Sequence, residues 1–251
     1  MKHILYFVLS AFLVTTAQAQ VTSITSVNVG GSVFSGLSLI AEQNNYGAPE
    51  MTFEATLAYS GGITANINWY ENLGIQVEAN YAFQGQNYFD IQGGAQLPTN
   101  KNVDLSYIQF PVLFKYTFTD YSVSQAAPDL FFVIGPQFGL LQSAKIEYLR
   151  DGVVVDFNDY HNSINNPLND RHPDYTTDIE LFNNFDLSLA SGLGAAFKLS
   201  DYLTLTAESR LTWGISDLNA RDWRFPDLRN NYTASRNYVW GLKVGLLATV
   251  W

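Results

Sequence analysis

The stretch Asp104–Phe118, DLSYIQFPVLFKYTF, alternates two chemistries residue by residue. Ile108, Phe110, Val112, Phe114, Tyr116 and Phe118 share one parity; Tyr107, Gln109, Pro111, Leu113, Lys115 and Thr117 share the other. Successive side chains of a strand point to opposite faces, so this is a strand with one wholly apolar or aromatic face. In a soluble barrel or sandwich that face points into the core, and the opposite face carries Lys and Glu into water. In a membrane barrel it meets lipid, and the lumen face is polar and often small.

Seven further runs repeat the pattern. Their apolar faces are Val27, Val29 and Val33; Phe53, Ala55, Leu57, Tyr59, Ile63, Ala65, Ile67 and Trp69; and Leu73, Ile75, Val77, Ala79, Tyr81 and Phe83. After the anchor strand come Phe132, Ile134, Phe138 and Leu140; Phe185, Leu187, Leu189, Leu193, Ala195 and Phe197; Leu203, Leu205, Ala207, Leu211, Trp213 and Ile215. The last run is Tyr238, Trp240, Leu242, Val244, Leu246, Ala248 and Val250. The opposite faces are mostly Gly, Ala, Ser, Thr, Asn and Gln, a poor soluble surface and a good filling for a narrow barrel. Only 14% of the residues are charged, against about a quarter in soluble domains.

Eight strands is an even number, as bacterial single-chain barrels have. Short turns follow the second, fourth and sixth strands: Tyr70–Asn72, Thr119–Asp129 and Ser200–Asp201. Longer connections hold Gly93, Gly94 and Pro98, then Ser143–Asn183, then Ser216–Arg236. Short periplasmic turns and long external loops are the asymmetry of an outer-membrane barrel. The expected fold is therefore all-β: an eight-stranded antiparallel up-and-down transmembrane β-barrel with long external loops. Aromatic girdles are expected from Trp69, Phe118 and Phe197 at the periplasmic level, and from Phe83, Trp213 and Trp240 at the outer level.

Residues 1–19 read as a cleaved export signal. Lys2 supplies the charge, Ile4–Val14 the short apolar run, and Ala17-Gln18-Ala19 the small-x-small cleavage site. That run is too short to span a bilayer, which needs about 20 residues. Residues 20–251 then form one barrel domain, located in the outer membrane. There is no cysteine, hence no disulfide framework and no acylated lipobox Cys. A formal charge of −10 argues against nucleic acid, which selects basic stripes.

The anchor strand SYIQFPVLFKYTF with Pro111, the following FFVIGPQFGLL with Gly135-Pro136, the glycine-rich ASGLGAAFKLSD and a strand running to Trp251 together resemble the PorT-like outer-membrane β-barrel proteins of Bacteroidetes. The resemblance spans most of the mature chain and rests on scaffold motifs. It implies fold and location and leaves function largely open: the family's namesake is tied to a gliding and secretion apparatus, a role that these residues do not carry over. Pro111 and Pro136 each remove a ladder donor, so bulges are expected there. Outward parity ends at Val250 and puts Trp251 on the other side unless a bulge shifts it.

The lumen of an eight-stranded barrel is just wide enough to be filled by side chains. Glu78, Lys115, Asp186, Glu208, Arg210 and Lys243 face inward by parity and include both signs, so pairing across the lumen is expected. His161 and His172 are the only histidines after the signal, beside Asp159, Ser163, Asp170 and Asp174. A catalytic His needs a rigid orienting partner, which this unpatterned loop does not supply. No catalytic residue, metal site or cofactor is expected; a small rim enzyme or a narrow channel is the alternative. Between Lys145 and Glu180 three basic residues stand against eight acidic ones, a surface for bridging cations and lipopolysaccharide or for a basic partner. Arg221, Trp223, Arg224, Phe225, Arg229 and Tyr232 combine Arg with aromatics as binding hot spots do, and form the candidate external partner patch. Expected partners are outer-membrane lipid and lipopolysaccharide, with another envelope or secretion protein as a further candidate.

Overall fold

The alternation along Asp104–Phe118 separates a buried from an exposed face: Gln109, Leu113 and Lys115 are buried, while Phe110, Phe114 and Phe118 are exposed. The computed structural model describes residues 24–41, 52–69, 72–92, 97–118, 128–155, 178–221, 224 and 232–251. They form β1 (Ser26–Ala41), β2 (Thr52–Glu54), β3 (Thr56–Asn68), β4 (Leu73–Gln92), β5 (Leu97–Phe118), β6 (Asp129–Arg150), β7 (Val153–Val155), β8 (Phe185–Ser200), β9 (Leu203–Gly214) and β10 (Arg236–Thr249).

Eight of these strands close an antiparallel ring in the order β4-β3-β1-β10-β9-β8-β6-β5, with β5 returning to β4. β1 lies along β10 from Asn28↔Thr249 to Ala41↔Arg236, so the first and last staves seal the wall and leave the ring without an open edge. β2 and β7 are short additions on β4 and β6.

Which solvent each face meets follows from what is buried. Inside the ring lie Thr64, Gln76, Glu78, Asn80, Gln109, Lys115, Gln137, Ser188, Glu208, Arg210 and Lys243, all buried; Val33, Leu57, Ile63, Leu193, Leu242 and Leu246 stand exposed outside. A water-soluble barrel has the opposite arrangement. Rings gather near both rims of the apolar band. Tyr59 stacks on Phe83 at 4.7 Å and Trp213 lies 5.5 Å from Tyr238 at the loop end; Tyr116 meets Phe118 edge-on at 5.0 Å at the turn end.

The band ends where the hydrophobic phase flips. On β5 the apolar residues are Ile108, Phe110 and Phe114 on the outward face, but beyond Tyr107 they are Leu105 and Val103 on the inward face, both buried. Outward positions there become Ser106, Asp104 and Asn102, paired with Ser143, Lys145 and Glu147 of β6. Tyr81 donates its hydroxyl to Ser106 Oγ at 3.2 Å, and Ser106 and Ser143 share a 2.7 Å hydrogen bond. Beyond this line the apolar side chains of β5 turn inward, while Phe89 and Ile91 of β4 stay exposed on the outward face. β4 and β5 continue past it by roughly 30 Å of strand and β6 by roughly 24 Å, and β2 and β7 widen this extension to five strands.

Several sequence-based boundaries move accordingly. The first strand, read over Val27–Phe34, reaches Ala41. The connection around Gly93 and Pro98 is largely hairpin, since β4 runs to Gln92 and β5 starts at Leu97. The segment from Ser143, read as irregular, begins as strand to Arg150, followed by an Asp151-Gly152 turn with φ of 52° and 75° and then β7. Such a turn matches the twist of a hairpin, and Asp-Gly is its preferred pair. Phe53, read as outward, lies opposite Tyr88, and Glu54 opposite Asn87. The interruption at Ala55 shifts the register by one residue relative to β3, which exchanges faces.

The prolines do not carry bulges. Partners on either side of Pro111 and Pro136 keep one register, while ladder pairs are missing at Glu78–Ala79 against Phe110–Pro111 and at Val112–Leu113 against Gly135–Pro136. Each proline costs a local ladder bond and the flanking bonds hold the alignment. The register shift of the β5–β6 pair falls instead at Ser106/Tyr107, where Gln142 is the extra residue, at the phase flip itself. β10 ends at Thr249; Trp251 is exposed and accepts the Val27 N–H through its carbonyl. The expected signal, residues 1–19, lies outside the described residues.

Candidate functional site

Arg210 on β9 sits at the centre of the lumen. Its Nη2 donates to Glu78 Oε1 of β4 at 2.9 Å, and its Nε donates to Glu208 of its own strand. Lys243 of β10 reaches the same Glu78 oxygen at 2.5 Å and Thr64 Oγ1 at 3.2 Å. Gln76 Nε2 donates to Glu78 Oε1 at 2.6 Å and Asn80 Nδ2 to its Oε2 at 2.9 Å. Two carboxylates and two cations thus meet in a buried, hydrogen-bonded knot joining staves across the barrel. Bringing Glu208 to the axis requires a neighbour without a side chain: a Cβ on Gly192 would stand 2.3 Å from Glu208 Oε1.

The other two inward charges lie apart from this knot. Lys115 is buried with its ammonium 4.5 Å from the centre of the Phe131 ring, a cation–π contact. Phe131 fits because Gly194 faces it; a Cβ there would be 2.4 Å from Phe131 Cζ. Asp186 accepts from Ser188 Oγ at 3.2 Å and from Ser216 Oγ at 2.5 Å, and Ser216 Oγ in turn accepts the Leu187 N–H. The space left at mid-lumen, about 40 Å³ bordered by Glu78, Arg210 and Lys243, holds a few waters at most.

Above the knot the loop end is stoppered by apolar side chains. Leu181 of the 3-10 turn Asp178–Leu181, together with Phe182 and Leu218, packs on Ile40, Tyr88, Val103, Leu105 and Leu141. Two loops are stitched together over this core. Asn183 donates its amide to the carbonyls of Asp217 and Asn219 at 2.7 and 2.9 Å, and Ala220 N–H donates to Leu181. Asp217 is the hub: its carboxylate accepts from Tyr232 Oη at 2.7 Å, Arg224 Nε at 2.8 Å and the backbone N–H groups of Ser235 and Asn219.

Of the candidate patch, Arg224 and Tyr232 therefore meet at Asp217, and Arg221 is exposed. Trp223, Phe225 and Arg229 lie outside the described residues, as do His161 and His172. Among the described residues no group of three metal-ligating side chains forms. Strand parity points at the six lumen charges but has nothing to say about Asp217, which belongs to no strand.

Burial and the Asp217 hydrogen bond push the Tyr232 phenol up to about 12. The folded loop therefore holds this proton more tightly than the unfolded chain does. The cap is at full strength below about pH 10 and weakens as pH rises toward about 12. Proteinase K nicking of the loops should rise between pH 8 and pH 11 in the wild type. Tyr232→Phe should be nicked more readily at pH 8 and show a smaller further rise; an unchanged slope would assign the titration to another group.

A closed antiparallel ring with an ion-paired lumen, an apolar outer face and aromatic rims defines a transmembrane β-barrel of the outer membrane. The chain belongs to the outer membrane protein beta-barrel domain family, which it matches over residues 17–220. The family match stops short of β10, the strand that closes the ring. Among solved structures it is similar to the outer membrane protein OprG from Pseudomonas aeruginosa, at 11% identity over 90% of this chain and 96% of that one, with a TM-score of 0.40. Neisserial surface protein A shows 10% identity over 89% and 97%, with a TM-score of 0.41. Ail, the attachment invasion locus protein of Yersinia pestis, solved with the heparin analogue sucrose octasulfate, shows 10% identity over 89% and 99%, with a TM-score of 0.32. No curated protein matches the chain.

Proposed function

We propose that this protein is a closed outer-membrane barrel that serves the envelope as a structural and interaction component, not as a pore or an enzyme. On this reading residues 1–19 are a cleaved signal, residues 20–251 are one barrel domain, and the loop end with its five-stranded extension faces outside. The single observation that carries it is the double closure: the Arg210 knot fills mid-lumen, and the Leu181–Phe182–Leu218 stopper covers the loop end. A barrel closed twice has only its rim and its extension left to offer. The kinship with PorT-like proteins belongs to the same proposal, and makes another envelope or secretion protein the partner to look for, beside lipid and lipopolysaccharide.

The purified protein should shift on a detergent gel between unheated and heated samples and give no stable unit conductance in planar bilayers. Reproducible single-channel steps would overturn the closed reading. Hydrolysis of a lipid or peptide that is lost on substituting His161 and His172 would revive the rim enzyme.

A further inference from the structure

The outward face of the extension carries two rows of side chains set by the strand register. Glu54 lies opposite Asn87, Asn87 opposite Asn102, and Asn102 opposite Glu147, so four polar side chains run in line across β2, β4, β5 and β6. In the next row Phe89 lies opposite Asn100, and Asn100 opposite Leu149. Together they border a shallow cleft of about 300 Å³ lined by Glu54, Asn87, Phe89, Asn100, Asn102 and Leu149. Neighbouring strands stand about 4.8 Å apart and same-face residues about 6.8 Å, so the rows cover roughly 14 by 7 Å, the footprint of two or three sugar rings.

We propose that this cleft binds neutral sugar residues of the oligosaccharide carried by outer-leaflet lipopolysaccharide. The side-chain amides of Asn87, Asn100 and Asn102 and the Glu54 carboxylate make no hydrogen bond or ion pair with any described residue, while the lumen amides Gln76 and Asn80 are spent on Glu78. An amide presents donors and an acceptor side by side and a carboxylate accepts only, a set that matches the paired hydroxyls of a sugar ring. Phe89 offers an exposed aromatic face beside them, against which the C–H side of a ring can pack.

The charge selects among ligands. Glu54 and Glu147 bracket the polar row, and the neighbouring Lys145 is already paired with Glu147, so phosphate groups are repelled and uncharged sugars are not. A peptide strand would seek free main-chain groups at an edge, whereas this cleft lies on a sheet face with β2 and β7 flanking it. The height fits as well. Asn102 stands four residues beyond Ser106, roughly 13 Å of strand past the end of the apolar band, where lipid gives way to sugar.

This assignment rests on the proposed outward orientation of the loop end, and one set of variants separates the two. The chain has no cysteine, so Asn102→Cys in intact cells reports orientation through a membrane-impermeant maleimide. Full-length protein in detergent is then titrated calorimetrically with dephosphorylated core oligosaccharide of lipopolysaccharide. Binding should weaken at least tenfold in Asn87→Ala/Asn102→Ala and in Phe89→Ala, with the gel shift retained, and stay unchanged in Asp201→Asn at the turn end. The phosphorylated oligosaccharide should bind more weakly than the dephosphorylated one. Maleimide labelling of the Asn102→Cys variant with no sugar binding, or with binding indifferent to the cleft variants, would overturn the sugar site and leave the orientation standing. Absence of labelling would overturn both.

Discussion

Arg210→Ala should lower barrel stability by about 3–5 kcal/mol, the range for removing one partner from a buried ion pair. The reason lies in what stays behind. Glu78 keeps Lys243, Gln76 and Asn80, but the buried Glu208 loses the one cation that touches it among the described residues. A carboxylate left without a partner inside the wall loses hydration that nothing replaces. Arg210→Met with Glu208→Gln removes both members of the pair at similar volume and should cost far less, because a neutral filling does not strand a charge. Urea titration in detergent, followed by tryptophan fluorescence and by the heated and unheated gel bands, reads both variants. The alanine variant should remain non-conducting, since the stopper of Leu181, Phe182 and Leu218 closes the same axis independently. A loss below about 1 kcal/mol would mean that water replaces the guanidinium, and large stable currents would mean that the stopper does not seal.

The wall of the barrel was legible in the sequence because one rule, apolar outward and polar inward, holds over about ten residues of every stave. β10 shows it most simply: Trp240, Leu242, Val244 and Leu246 are exposed, while Asn237 and Lys243 are buried. The same rule hid the extension. Past Tyr107 the outer solvent changes from lipid to water, so Val103 and Leu105 are apolar on the face that carries Gln109 and Lys115 lower down. Followed on a single parity, the pattern dissolves there and looks like a loop. The Asp151-Gly152 pair was the available corrective, a hairpin signal inside a segment whose Asn and Asp content suggested irregular chain. The prolines misled in the other direction. Each removes a single donor, and the register on both sides was already fixed by a dozen or more other pairs, so no bulge was needed. As for the site, parity selected the six lumen charges but could not say which would meet. That four converge on one another, while Lys115 rests on Phe131 and Asp186 takes two serines, depends on stagger between strands that alternation does not encode. Asp217, the residue that joins the two loops of the cap, lies in no periodic segment and left no sequence signal.

Leu242→Lys should cost about 2–4 kcal/mol in lipid vesicles, and Val250→Lys only about 0–1, although both side chains project freely from the wall. The two positions are equally uncovered by protein, at 65% and 63% exposure, so any difference between them comes from the medium. Leu242 is the seventh residue of the fourteen in β10, at mid-height of the apolar band, while Val250 lies just past the strand's end at the turn rim. An ammonium at mid-height must strip its hydration or drag water into hydrocarbon, whereas one at the rim reaches the headgroups along its own methylene stem. Were this outer surface bathed in water, as in a lipocalin-like binder, both substitutions would replace an exposed apolar side chain by a solvated charge, and both would lie within about 0.5 kcal/mol of zero. Equilibrium unfolding of the two variants in one vesicle preparation therefore measures the solvent of the outer face directly. Equal costs near zero would return the apolar face to water, and a gradient that falls from Leu242 to Val250 is the signature of a bilayer wrapped around the barrel.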